Sequence, residues 1–154
     1  MPLENLEKLI TGLQAFNAHD EFTAIVEANK EELTALEREQ LSYGVGRDGG
    51  PRADEYRPYT KMIKSLYGVG LGAVTDRVPF FMTGDLYQSL TTRISGDVFN
   101  TTSSLPTFDK MIERIGQDNY GLDEQQRIVF ATETAMPAYR ERFKQVTGLT
   151  MSKV

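Results

Sequence analysis

The chain of 154 residues has no cysteine and one histidine. Without thiols there is no disulfide frame, no thiolate zinc site and no thiol nucleophile, a composition that fits folding in a reducing cytosol. A transition-metal site would have to be mostly carboxylate, and a serine triad would need His19, yet no Gly-x-Ser-x-Gly elbow is present. His19 sits beside Asp20 in a polar connector and reads as a solvated loop residue. Long apolar runs are also missing. No segment approaches the ~20 apolar residues of a membrane span, and the start, Met-Pro-Leu-Glu-Asn-Leu-Glu, lacks a basic region followed by an apolar core. The expectation is a soluble protein that is not exported by the ordinary signal route. Asn100-Thr101-Thr102 has the form of a glycosylation acceptor, but without a secretory signal it reads as a chance match inside a strand.

A concentrated basic face is absent too. The formal charge is −5, and Asp20 to Gln40 holds seven acids against two bases, which accounts for the whole excess. Arg47 to Arg77 holds six bases against four acids. Neither the total nor the pattern supplies the phosphate neutralisation that drives duplex-DNA affinity, so tight DNA binding is not expected. Gly44 and Gly46 lack the third glycine, the Gly-Lys-Ser/Thr and the following helix that would complete a nucleotide fingerprint. Asp48 in Arg-Asp-Gly-Gly lacks the later acidic positions of a calcium loop. The carboxylate pairs Glu31-Glu32 and Glu37 with Glu39 lie on an amphipathic helix whose outer face needs charge in any case. No catalytic residue, metal or cofactor is expected.

What is present is a sequence of periodicities for one domain, long enough to bury roughly 68–70% of its unfolded surface. Leu3, Leu6, Ile10, Leu13 and Phe16 share one stripe of an opening helix. After a connector over Asn17 to Asp20, a second helix starts near Asp20 with Phe22, Ile25, Val26, Leu33 and Leu36 inward and the acids mostly outward. Asn29 falls within that stripe, so either it is hydrogen-bonded inside or the helix breaks there. Extended loops follow near 43–59, with Asp48-Gly49-Gly50-Pro51 as a tip, and near 68–77. Between them, Tyr59, Met62, Ile63 and Leu66 predict a third helix with Pro58 in its first turn and Gly68 at its end. Val78, Phe80 and Met82 predict a short strand, restricted by Pro79 to an edge or a position needing no donor. Leu90 to Thr102 predicts a β-hairpin turning at Gly96-Asp97. Pro106 opens a helix with Phe108, Met111, Ile112 and Ile115, closed by Gly116. Asp123 and Gln126 form a capping box for a helix with Ile128, Val129 and Phe130. Pro137 breaks that helix and starts the last one, which carries Tyr139, Phe143 and Val146 and ends at Gly148. The fold class is α+β: N-terminal helices, a small antiparallel sheet with a β-hairpin, and C-terminal helices.

The run from Val78 to Leu90 packs a strand, a tight turn, a one-turn helix and the start of a second strand into thirteen residues. Thr83 can cap the short helix, Asp85 lies near its positive end, and Gly84 permits close backbone approach. Leu86 and Leu90 anchor it, with Tyr87 and Gln88 turned outward. Met82, Thr83, Gly84, Leu86 and Ser89 resemble the apolar-Thr-Gly-x-Leu-x-x-Ser element of phage head-to-tail joining and tail-completion proteins, including the virion-morphogenesis type. In layout the resemblance runs from about Leu33 to Thr102. The family's Tyr-Ala-x-x-x-Glu-x-Gly-Thr-like strand and Pro-Phe-Leu-x-Pro-Ala-like helix start are missing, with Met136-Pro137-Ala138-Tyr139 the nearest counterpart.

The resemblance implies a non-enzymatic virion component, made in the host cytoplasm. It would assemble with itself as a ring around the genome conduit, as neck adaptor or tail terminator, against portal, adaptor or tail proteins. Genome DNA would pass nearby without tight binding, and no membrane is involved. Interface candidates are Tyr43, Arg47, Arg52, Tyr56, Tyr59, Tyr67, Phe80 and Phe81, aromatic and arginine residues of the kind interfaces favour. The acidic 20–40 segment would line the passage or form a solvated outer face. Two other classes stay open: a cytosolic adaptor or regulator binding a partner through Tyr56, Tyr59 and Tyr67, and a small carboxylate-based hydrolase.

Overall fold

The structure, a computed structural model, describes residues 3–50, 57–68, 70, 75–76, 84–96, 98–115 and 120–151. The predicted strand over Val78 to Met82 lies outside these residues, as do Asp97 and Gly116. The elements in chain order are helices α1 (Leu3–Ala15), α2 (Ala18–Ala28), α3 (Lys30–Ser42), α4 (Pro58–Tyr67) and α5 (Asp85–Ser89). Then come strands β1 (Leu90–Ser95) and β2 (Val98–Ser103), and helices α6 (Phe108–Ile115) and α7 (Glu124–Val129). A π-helical turn (Phe130–Ala135) leads into α8 (Met136–Thr147). This is an α+β fold with the hairpin between N-terminal and C-terminal helices. Length alone suggested one domain. By its contacts the chain divides into two compact units, residues 1–29 with 129–154, and residues 30–128.

In the first unit α1 packs on α8 through Gly12, where an added Cβ would lie 2.6 Å from the Val146 carbonyl oxygen. Phe16 meets Tyr139 and Phe143 edge-on, with ring centroids 5.6 and 5.1 Å apart, and Phe22 meets Tyr139 at 6.1 Å. Such edge-to-face pairs add to the area they bury, by about 0.5–1.5 kcal/mol each. Val26, Phe130 and Ala135 complete the interior, while Leu6, Ile10 and Leu13 of the opening stripe stay exposed. The Arg142 guanidinium grips Glu21 with two bonds, Nε to Oε2 at 2.7 Å and Nη2 to Oε1 at 3.1 Å. That hydrogen bond holds the Glu21 carboxyl below its ordinary pKa, so the pair supports the fold at neutral pH and is lost as pH falls through the lowered value.

Three boundaries are set by a local cause, and the first and last of them differ from the sequence reading. Helix α2 starts earlier than Asp20: Asn17 is its N-cap, its Oδ1 accepting from the His19 and Asp20 amides, so His19 lies in the first turn rather than a connector. At Asn29 the two alternatives coexist. The helix breaks, and the Asn29 Nδ2 donates to the Ile25 carbonyl at 2.7 Å. Pro137, expected to break the chain between helices, instead follows a π turn in which the Met136 amide bonds Ala131, five residues back. The wider turn accommodates a ring that would clash with the carbonyl four residues before it in regular α-helix. Half of the expected capping box forms: the Asp123 carboxylate accepts from the Gln126 amide at 2.8 Å, but the Asp123 amide donates to Gln40 Oε1 instead of to Gln126; Gly148 ends α8 at φ +74°.

In the second unit Leu41, Leu86, Leu90, Phe108 and Tyr120 form the buried cluster, with Tyr87, Leu105, Met111 and Ile112 packed against it. Tyr87 is therefore half inside rather than outward. The strands pair antiparallel, Leu90 opposite Ser103 through Ser95 opposite Val98, and α3 packs on β1.

The α1–α8 contact makes a direct prediction. Gly12→Ala pushes a methyl into backbone and should lower unfolding stability by about 1–3 kcal/mol, whereas Gln14→Ala, exposed on the same helix, should change it by less than ~0.5 kcal/mol. Urea titration of both variants checks this, and equal midpoints would refute the close approach.

Candidate functional site

The predicted joint begins where described residues resume at Gly84. Gly84 is itself the N-cap of α5, with φ +93° and no side-chain cap, so its role is the left-handed turn that only glycine takes without strain. The expected cap, Thr83, lies outside the described residues together with Met82. Asp85 sits exposed in the first turn, near the positive end of the helix. Leu86 and Leu90, one helical turn apart, enter the buried cluster. Ser89 ties the joint to the far end of the hairpin: its Oγ lies 2.9 Å from the Leu86 carbonyl and 2.6 Å from Ser103 Oγ, which in turn accepts from the Leu105 amide. The apolar and serine positions of the motif thus hold one short helix against both strands.

Helix α3 carries the part that the sequence reading missed. Leu33, Thr34, Glu37, Gln40 and Leu41 recur at helical spacing and are all buried. Glu37 was assigned to the acidic outer face. It is 2% exposed, with Oε1 accepting from the Gly121 amide at 2.7 Å and Oε2 from the Thr101 hydroxyl. Gln40 Nε2 donates to the carbonyls of Gly46 at 3.1 Å and Gly121 at 3.0 Å, while its Oε1 accepts from the Asp123 amide at 2.8 Å. Thr34 Oγ1 accepts from the Thr92 amide at 3.1 Å, and Arg38 Nη2 donates to the Leu90 carbonyl at 3.0 Å. One helix therefore satisfies backbone groups of two loops and a strand, which leaves those loops no need of regular secondary structure. The available signal was the polar Glu37 and Gln40 standing at i+4 and i+7 from Leu33 on an otherwise apolar stripe.

Of the interface candidates, Arg52, Tyr56, Phe80 and Phe81 lie outside the described residues. Tyr43 and Arg47 are exposed on the loop that Gln40 fastens, with the Arg47 stem alongside Gly121. Tyr59 and Tyr67 are both on α4, 70% and 77% exposed. Helix α4 is turned the opposite way from an ordinary amphipathic helix. Met62 and Leu66 are exposed beside Tyr59, and the buried residue is Lys64. Burial lowers the Lys64 pKa, because the charged form loses hydration. The unfolded chain then holds this proton more tightly, so the group favours the fold more as pH rises through the lowered value.

A groove along α1 and α8, of about 590 Å³, is lined by Glu4, Glu7, Lys8, Thr11, Gly12 and Val146, and the Thr11 hydroxyl donates to the Glu7 carbonyl. Among the described residues no group of three or more His, Cys, Asp or Glu side chains is placed to hold a metal ion, and no helix is long and apolar enough to cross a membrane.

Two pairs of substitutions test the joint and its clasp. Glu37→Ala leaves the half-buried Gly121 amide and Thr101 hydroxyl without these acceptors and should cost about 1–3 kcal/mol; Glu37→Gln, which can still accept from the amide and accept from or donate to the hydroxyl, should cost clearly less. Gly84→Val forces a branched residue into positive φ and should lower the melting temperature well beyond Asp85→Ala, which removes only ~0.3–1 kcal/mol of dipole stabilisation. Thermal and urea unfolding of the four variants decide both orders.

Comparison of the chain with protein-family models, with curated proteins and with solved structures finds no match.

Proposed function

We propose that this chain is a non-enzymatic structural component of a phage virion, a subunit of the head–tail connector or neck, or of the tail-completion ring, assembled with itself around the genome conduit. The observation that carries the reading is the joint. The residues resembling the family element, Gly84, Leu86 and Ser89, make a left-handed turn into a one-turn helix tied to a β-hairpin. None of them is spent on a reactive group. A second observation favours an assembly role: Tyr59, Met62, Leu66 and Tyr67 expose apolar surface on the order of a few hundred Å², the size at which such patches mark interaction sites.

Charge fits a passive conduit. Asp20, Glu27, Glu31, Glu32 and Glu39 are exposed on α2 and α3, and a surface that lets DNA slide must not gather phosphate. The exposed tyrosines serve a cytosolic adaptor equally well, so particle association separates the two readings. Purified virions of the encoding phage should contain the protein at a fixed stoichiometry by mass spectrometry. Its absence from particles, with recovery as a complex with one host protein, would establish the adaptor reading instead. The free protein should also fail to retard duplex DNA at micromolar concentration and physiological salt, and salt-sensitive retardation would end the conduit role.

A further inference from the structure

The two edges of the hairpin are treated differently, and the direction of the backbone shows it. The Thr92 amide bonds Thr34 and the Leu90 carbonyl accepts from Arg38, so the backbone groups of Leu90, Thr92 and Ile94 point away from β2. The ladder is then made by Thr91, Arg93 and Ser95 with Thr102, Asn100 and Val98. By the same alternation Phe99, Thr101 and Ser103 turn their amides and carbonyls to the outer side of β2, where no described residue bonds them. Edge strands are commonly guarded by lysine, proline, a bulge or a covering element. Val-Phe-Asn-Thr-Thr-Ser has no charge, no proline and no bulge, and Val98 and Phe99 are exposed on it.

We propose that the outer edge of β2 pairs antiparallel with β2 of a second copy of this chain, about a two-fold axis at Thr101. Phe99 then faces Ser103 of the other copy and Thr101 faces its counterpart, and each facing pair exchanges two backbone bonds. The strand suits itself as partner because it bears no ionisable side chain, so no like charges meet across the axis. The product is the four-stranded sheet β1-β2-β2-β1. Thr34 and Arg38 of α3 occupy both outer edges at Leu90 and Thr92, so growth stops at two copies. A two-stranded hairpin gains from this, since more strands are needed for independent stability.

This contact is independent of the proposed function: a two-fold contact is not the repeating contact of a cyclic ring, and either can fail without the other. The test is sedimentation of the full chain across concentration, with residue-resolved amide exchange. Twice the monomer mass is expected at high concentration. The amides of Phe99, Thr101 and Ser103 should slow by about tenfold or more on association, while those of Asn100 and Thr102, already in the ladder, change little. Phe99→Pro removes an outward donor that the hairpin does not use, and should abolish the dimer while Thr102 stays protected. A monomer at every concentration, a dimer whose three outward amides exchange as in dilute protein, or a folded Phe99→Pro dimer would each overturn the proposal. The wild-type exchange pattern decides the matter even if that variant does not fold.

Discussion

The second unit depends on one constraint: irregular backbone brought into the interior must have its polar groups paired. The chain meets it with the side chains of Glu37 and Gln40, which reach the loops at Gly46 and at Gly121 to Asp123, and with Thr34, which reaches Thr92. These bonds cross more than eighty residues of sequence for the Gly121 and Asp123 contacts, so they close long loops as well as satisfy donors. A purely apolar α3 would pack against Leu86 and Leu90 yet leave the loops without partners.

Once α3 is committed to the inside in this way, one edge of the hairpin is covered, while no described residue bonds the backbone of the other. Ser89 and Ser103 then tie the short helix α5 to the strand ends, at the base of the hairpin. Helix α4 presents tyrosine, methionine and leucine outward and keeps a lysine inside, the reverse of what a free surface helix needs. Among the described residues these are two exposed surfaces of different kinds, one apolar and one of backbone donors and acceptors. The proposed assembly role rests on the first of them, for a virion component and for an adaptor alike.

The first unit uses other means. Its interior is aromatic, Phe16, Phe22, Tyr139 and Phe143, and its helices approach through a glycine. A π turn before Pro137 keeps the chain helical from Glu124 to Thr147. The irregularity is local in cause, since it lies where a regular turn and the proline ring are incompatible.

Elements with strong local signals were legible from the sequence: the hairpin from its alternation and turn glycine, α4 from Pro58 and Gly68, the Asp123 side-chain cap of α7, and the α+β class that follows from them. These are set by spacing and by residues whose backbone preferences act within one turn. The inward place of Glu37, the outward face of α4, the half-burial of Tyr87 and the division into two units were decided only in three dimensions. A carboxylate at helical spacing looks solvated until a distant amide and hydroxyl arrive to donate to it, and an apolar stripe looks buried until a lysine on the opposite face takes the interior. Local chemistry chooses the elements; which face of each is buried depends on partners tens of residues away.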